Sequence, residues 1–265
     1  MEMNKAIDVL ERNGIKTSRI NVRKNGKDLP AVTIGNGRIT PTLYQETFDD
    51  IYSENEIVRF ARQLLTEIPE YNFEDILTRE FVLRNVRSCV RHATCDPDTV
   101  KFPVFGDLEE YFRVAVPGFI EGSHASVVVL EKHLCFLGID KDELRTAART
   151  NSRRSMKIMS MTQILSEFMD DDGEIPDCDV MMYVASNDER LHGASAMLMD
   201  DMLEQFCKDH GWDSIYIIPS SIHEVILIRG NVDKATVDSM VVEVNESQVK
   251  EDERLSDHCY LWTLQ

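Results

Sequence analysis

Two serines, a histidine and a glutamate stand together in "YIIPSSIHEVILIRG", residues 216–230, just ahead of a strongly apolar run. A serine beside a histidine suggests nucleophilic catalysis. That chemistry needs Oγ within hydrogen-bond reach of an imidazole that a carboxylate orients. On an extended strand Ser221 and His223 project to one face and Glu224 to the other. Glu224 then cannot orient the imidazole, and Asp257, in "LSDHCY", is the carboxylate expected to do so. A serine hydrolase built on Ser221, His223 and Asp257 is therefore one reading. Against it, G-x-S-x-G is absent and no glycine-rich turn offers an oxyanion hole. The favoured reading is structural: Ser220 and Ser221 cap a turn after Pro219, and His223 fills a site at the sheet edge. As a binding patch, the same region groups His192, Gly193, Ser220, Ser221, His223, Glu224 and Asp257.

Metal chemistry is not expected. Cys89, His92 and Cys95 are three apart, and His133 and Cys135 could supply further ligands. Read as a helix, the first segment lets only two of its three converge, short of the four ligands of tetrahedral zinc. Buried free thiols are the better account. "DDDGEIPDCD" resembles a calcium loop, but aligning Gly173 with the loop glycine puts Phe168 at the first ligand position. No C-x-x-C occurs among the six cysteines. No cofactor is implied.

The net charge of −18 argues against a phosphate-reading surface, so direct nucleic-acid binding is not expected. The charge is uneven. Residues 156–265 hold 7 Lys/Arg against 23 Asp/Glu, a balance of −16, whereas residues 81–155 hold 11 against 10. The acidic third could simply keep the protein dispersed, or it could meet a basic protein surface or mimic nucleic acid. Arg84, Arg87 and Arg91, and Arg145, Arg149 and Arg153, recur at helical spacing as two basic stripes. They are expected to dock against the protein's own acidic third in preference to a phosphate-bearing ligand. Nine of twelve methionines fall between Met156 and Met202 and are read as core.

The elements that must position these groups follow from periodicity. "MEMNKAIDVLERNG" reads as a polar-faced helix, not a basic leader with an apolar core, and a cytoplasmic location with reduced thiols is expected. No apolar run is long enough for a membrane span. Asn25-Gly26 signals a hairpin. Ser53 and Glu56 have capping-box spacing ahead of a helix with apolar residues at 57, 60, 61, 64, 65 and 68. Residues 40–52, 72–93 and 155–169 are each read as one helix, and "LHGASAMLM" as a strand. Strand-strand-helix units recur near residues 18, 109, 179 and 214. Hairpins joined directly to helices imply an α+β fold of antiparallel sheets, with extra helices in the N-terminal half. The expected division is a mixed region 1–170, an acidic linker 171–178 and an α+β module 179–265.

"IIPSSIHEVILIRG", "VNESQVKEDERLSDHCY", "MMYVASNDERLHGASAM" and "LGIDKDEL" together resemble a family of unknown function from gut Firmicutes, often carried on mobile elements. The resemblance implies a shared design and a bacterial cytoplasmic setting, and no activity. The expectation is a non-enzymatic interaction or accessory protein whose acidic C-terminal surface binds a basic partner. An anti-defence protein that mimics nucleic acid is a further alternative.

Overall fold

The computed structural model describes residues 1–24, 27–37, 40–67, 73–94, 97–116, 125–168 and 181–264. The chain divides into two compact units, Met1–Phe73 with Val116–Ala125, and Glu74–Ala115 with Ser126–Gln265. The expected linker 171–178 lies outside the described residues. The strands on either side of it, at 156–160 and 183–187, pair within one sheet.

The first unit contains α1 (Met3–Arg12), β1 (Thr17–Lys24), β2 (Lys27–Ile34), β3 (Thr42–Tyr44), α2 (Gln45–Asp49) and α3 (Glu54–Glu67). β1 and β2 pair antiparallel from Thr17↔Ile34 to Lys24↔Lys27. Asn25-Gly26, expected as the hairpin signal, lies outside the described residues. Segment 40–52, expected as one helix, is corrected to β3 followed by α2, because Thr42–Tyr44 pairs with Ala31–Thr33. Ser53 Oγ accepts the Glu56 N–H at 3.2 Å, and Glu56 reaches back to the Tyr52 N–H at 3.1 Å. That reciprocal pair starts α3. Leu10, Ile34, Phe48 and Ile57 are fully buried and form the centre of this unit.

The second unit follows α4 (Phe73–Ile76) with α5 (Arg79–Asn85), β4 (Val86–His92), β5 (Lys101–Val104), β6 (Leu108–Val116), β7 (Ala125–Val128), α6 (Glu131–Leu137) and α7 (Lys141–Arg153). Then come β8 (Met156–Ser160), α8 (Met161–Phe168), β9 (Tyr183–Asn187), a 3-10 helix (Gly193–Leu198), α9 (Asp200–His210), β10 (Ser214–Ser221), β11 (Glu224–Arg229), α10 (Lys234–Gln248) and β12 (Tyr260–Thr263). One sheet runs β4-β6-β5 with β7 beside β6, and the other runs β12-β10-β11-β9-β8. The fold is α+β with antiparallel sheets. Three expectations are corrected here. Residues 86–92 are a strand because they pair along β6 from Val86↔Val114 to His92↔Leu108. Residues 156–160 are a strand for the same reason, against β9. Residues 193–198 form a buried 3-10 helix, not a strand.

Candidate functional site

The segment 216–230 folds as a hairpin whose turn is Ile222-His223, since Ser221 pairs with Glu224. The register slips between Ile218 and Ser221, around Pro219, which has no N–H for the ladder, and Ser220. His223, expected on a strand facing the same way as Ser221, therefore lies in the turn. Ser221 is buried, and its Oγ accepts the backbone N–H of His223 at 3.0 Å. The His223 ring points elsewhere. Its Nδ1 accepts the His192 N–H at 3.3 Å, and its Nε2 lies 3.7 Å from Glu253 Oε1. Asp257, expected to orient this imidazole, instead accepts from Asn245 Nδ2 at 2.8 Å. The structure thus brings His192, Gly193, Ser221 and His223 together and leaves Asp257 out.

Three segments clamp this turn. Ser186 Oγ donates to the His223 carbonyl at 2.8 Å, the Ala194 N–H donates to the Ile222 carbonyl at 3.3 Å, and the Ile222 N–H donates to the Glu253 carbonyl at 2.9 Å. Asn187 closes the preceding loop on itself, bonding both the Leu191 N–H and the Leu191 carbonyl. His192 turns the chain with φ 54°, in the left-handed region. Gly193 is required by space. A Cβ there would sit 2.3 Å from Ser186 Oγ, 2.6 Å from the His223 carbonyl oxygen and 2.8 Å from the Asn187 nitrogen.

A second polar cluster forms where sequence reasoning did not look. Ser256 Oγ donates to Asp107 Oδ2 at 2.8 Å and is also 2.8 Å from His258 Nδ1. Tyr260 OH donates to Asp107 Oδ1 at 2.6 Å, and His258 Nε2 is 3.8 Å from the same oxygen. Asp107 is presented by the β5–β6 turn, where Phe105 and Gly106 take φ of 50° and 84°. A left-handed phenylalanine is an uncommon backbone state, and its ring lies 4.9 Å from that of Tyr260. Burial, reinforced by the bond to Asp107, raises the Tyr260 phenol well above its ordinary value. A serine here meets both an imidazole and a carboxylate, but the serine is buried and Asp107 binds it directly, not through the ring.

The basic stripes are largely committed. Glu110 is fully buried on β6 and binds Arg149 through Nε at 3.0 Å and Nη2 at 2.9 Å, Arg145 Nε at 2.8 Å and Ser88 Oγ at 2.8 Å. The bonds to Glu110 raise the Arg149 pKa further. Glu109, on the opposite face, takes Arg91 Nε at 2.7 Å and Lys101 at 3.3 Å. Arg84 lies in the last turn of α5 while Arg87 and Arg91 are on β4, so these three make no helical stripe. Arg153 pairs with Asp201, in the acidic third, at 2.7 Å. Arg145 and Arg149 direct their hydrogen bonds to Glu110, and Arg149 also feels the charge of Asp200.

Among the described residues no group of three or more His, Cys, Asp or Glu could hold a metal ion, and β4 puts Cys89 and His92 on opposite faces. Cys95 lies outside the described residues. No helix of the described residues is long and apolar enough to cross a membrane. In the first unit a groove of about 640 Å³ is lined by Glu11, Lys16, Thr17, Thr33 and Asn36.

The model of a family of unknown function, DUF5688, matches residues 97–263, well over half of the chain. The chain belongs to the DUF5688 family. No curated protein and no solved structure matches it. The DUF5688 span contains both polar clusters, from Asp107 on its first hairpin to Tyr260 near its end. It excludes Arg84, Arg87 and Arg91. Within it, Ser256 and His258 flank the Asp257 that the sequence singled out, and the signal for them was only that "LSDHCY" carries three polar side chains in a row.

Proposed function

We propose that the chain is a non-enzymatic accessory protein of the bacterial cytoplasm that binds a basic protein surface through its acidic C-terminal third. The observation that supports this is where the arginines go. Arg145, Arg149 and Arg91 neutralise Glu110 and Glu109, which belong to the nearly neutral central region. Their ion pairs are thus made within the central region and not with the excess acid of residues 156–265. Asp200, Asp209, Asp213, Glu243, Glu246 and Asp257 are exposed there. Such a surface attracts a cationic partner over a distance set by salt, about 8 Å at physiological ionic strength. Ser221 also speaks against hydrolysis, because its hydroxyl serves a backbone N–H. The resemblance to a gut Firmicutes family carried on mobile elements gives the setting, and within it a nucleic-acid-binding or host-defence protein is the class of partner that presents such a basic surface. The test is a pull-down from the native host at low and at high salt. A basic partner retained at low salt and released at high salt is expected. No partner, or one indifferent to salt, overturns the proposal.

One observation favours a second reading. Ser256 Oγ is within hydrogen-bond reach of His258 Nδ1 and Asp107 Oδ2, so a serine hydrolase would act there and not at Ser221. Labelling of Ser256 by a fluorophosphonate, lost in Ser256→Ala, would establish that reading. An unlabelled protein removes it.

A further inference from the structure

Helix α10 hides less of its apolar content than a surface helix normally does. Asp233 caps it, accepting the Thr236 N–H at 3.0 Å. The buried residues are Val237, Val241 and Asn245, one every four positions. Val237 packs with Tyr216, Ile228 and Cys259, while Asn245 donates to the Ser256 carbonyl at 3.0 Å. Met240, Val242 and Val244 are 59, 38 and 45% exposed. At 3.6 residues per turn, Met240 and Val244 lie one above the other on one shoulder of the buried stripe, and Val242 on the other. The crest between the shoulders carries Ser239, Glu243 and Glu246, all exposed. A solvated helix face is usually polar throughout, and methionine is the side chain that best adapts to a partner.

We propose that this face of α10 docks a basic amphipathic helix, with Met240 and Val244 receiving its apolar side and Glu243 and Glu246 its lysines or arginines. The inference rests on the acidic surface binding a basic partner and says which part of that surface does so. Charge selects the occupant. A second copy of a −18 chain would bring the same glutamates against each other, an arrangement that electrostatics disfavours. A cationic helix meets both features at once, laying apolar residues at i, i+3, i+4 and i+7 along the shoulder.

The experiment titrates the full chain with a synthetic Lys/Leu peptide whose leucines follow that spacing, and with a scrambled peptide of the same composition, read by fluorescence anisotropy at low and physiological salt. The comparison variant is Met240→Ser with Val244→Ser, whose unchanged melting temperature shows that it folds. The amphipathic peptide is expected to bind the wild type more tightly than the scrambled one, and the variant at least about tenfold more weakly than the wild type. Equal, salt-sensitive binding of both peptides to both proteins overturns the α10 site while leaving the acidic-surface reading intact. Failure of both peptides to bind at low salt takes down both. A wild-type dimer that the double substitution dissolves makes a second copy the occupant, and likewise overturns the proposal.

Discussion

The Ser221 hydroxyl accepts the backbone N–H of His223 at 3.0 Å, so this serine holds the turn and not the imidazole. Ser221→Ala should then behave as the loss of one buried hydrogen bond, costing about 1 kcal/mol. Urea denaturation reads this as a lower midpoint with an unchanged slope. A variant as stable as the wild type that lacks some enzymatic activity would mean the hydroxyl has another task.

Gly193 is the tightest point of the same assembly. In Gly193→Ala the new methyl meets Ser186 Oγ at 2.3 Å, the His223 carbonyl at 2.6 Å and the Asn187 nitrogen at 2.8 Å. Two of the three are backbone atoms that cannot rotate away. The substitution is expected to cost about 3 kcal/mol, in the range of overpacked sites, and thermal melting measures it. Adding Ser186→Gly should recover only part of the loss, because the backbone contacts remain.

Glu110 is buried between two arginines. Glu110→Ala leaves Arg145 and Arg149 without their carboxylate, and breaking such a pair from one side costs about 3–5 kcal/mol. Chemical denaturation of the variant checks this. A loss well under 1 kcal/mol would show that water or other groups replace the carboxylate there.

The thiols give a pH signature. Burial pushes Cys89 up to about 12, and burial together with a hydrogen bond to Asp238 pushes Cys259 up to about 11. The ordinary thiol value in both cases is 9.0. Both folded values are raised, so the unfolded chain loses these protons first as pH rises. Their contribution to stability is complete below about pH 9 and is lost progressively toward about 11 and 12. Denaturation at stepped alkaline pH should show this fall, and Cys259→Ala should flatten its earlier part. Under native conditions an alkylating reagent should modify the exposed Cys135 and spare the buried Cys89, Cys207 and Cys259. Peptide mapping that finds Cys89 modified as fast as Cys135 would contradict that burial.

What the sequence revealed tracks how local each signal was. α3 follows from Ser53, Glu56 and its apolar spacing, signals that all lie within the helix and its first turn. β4 is hidden in the sequence because Ile76, Leu77, Phe81, Val86 and Val90 fit the apolar stripe of one long helix while Val86, Ser88 and Val90 fit strand alternation. Pairing with β6 decides between them, and a window of neighbours does not contain β6. The 3-10 helix at 193–198 reads as a strand because Ala194, Ala196, Met197 and Leu198 are apolar and carry no helical period. Clusters bridging long separations were the least legible. Ser256 meets Asp107 across 149 positions, and Glu110, two positions from Leu108 and two from Phe112, looks like one more strand residue until α7 brings Arg145 and Arg149 over it.

The measurement that bears most directly on the proposed function compares the full chain with a counterpart carrying Asp209→Asn, Asp213→Asn, Glu243→Gln and Glu246→Gln. Each is immobilised, exposed to lysate of the native host at low ionic strength and washed with stepped salt, and the released proteins are quantified. The expected result is a basic protein retained by the wild type and weakly or not at all by the counterpart. It should be released as salt shortens the screening length from about 8 Å toward about 3 Å. Equal retention by both chains, or a partner that stays bound through the salt steps, would contradict the account.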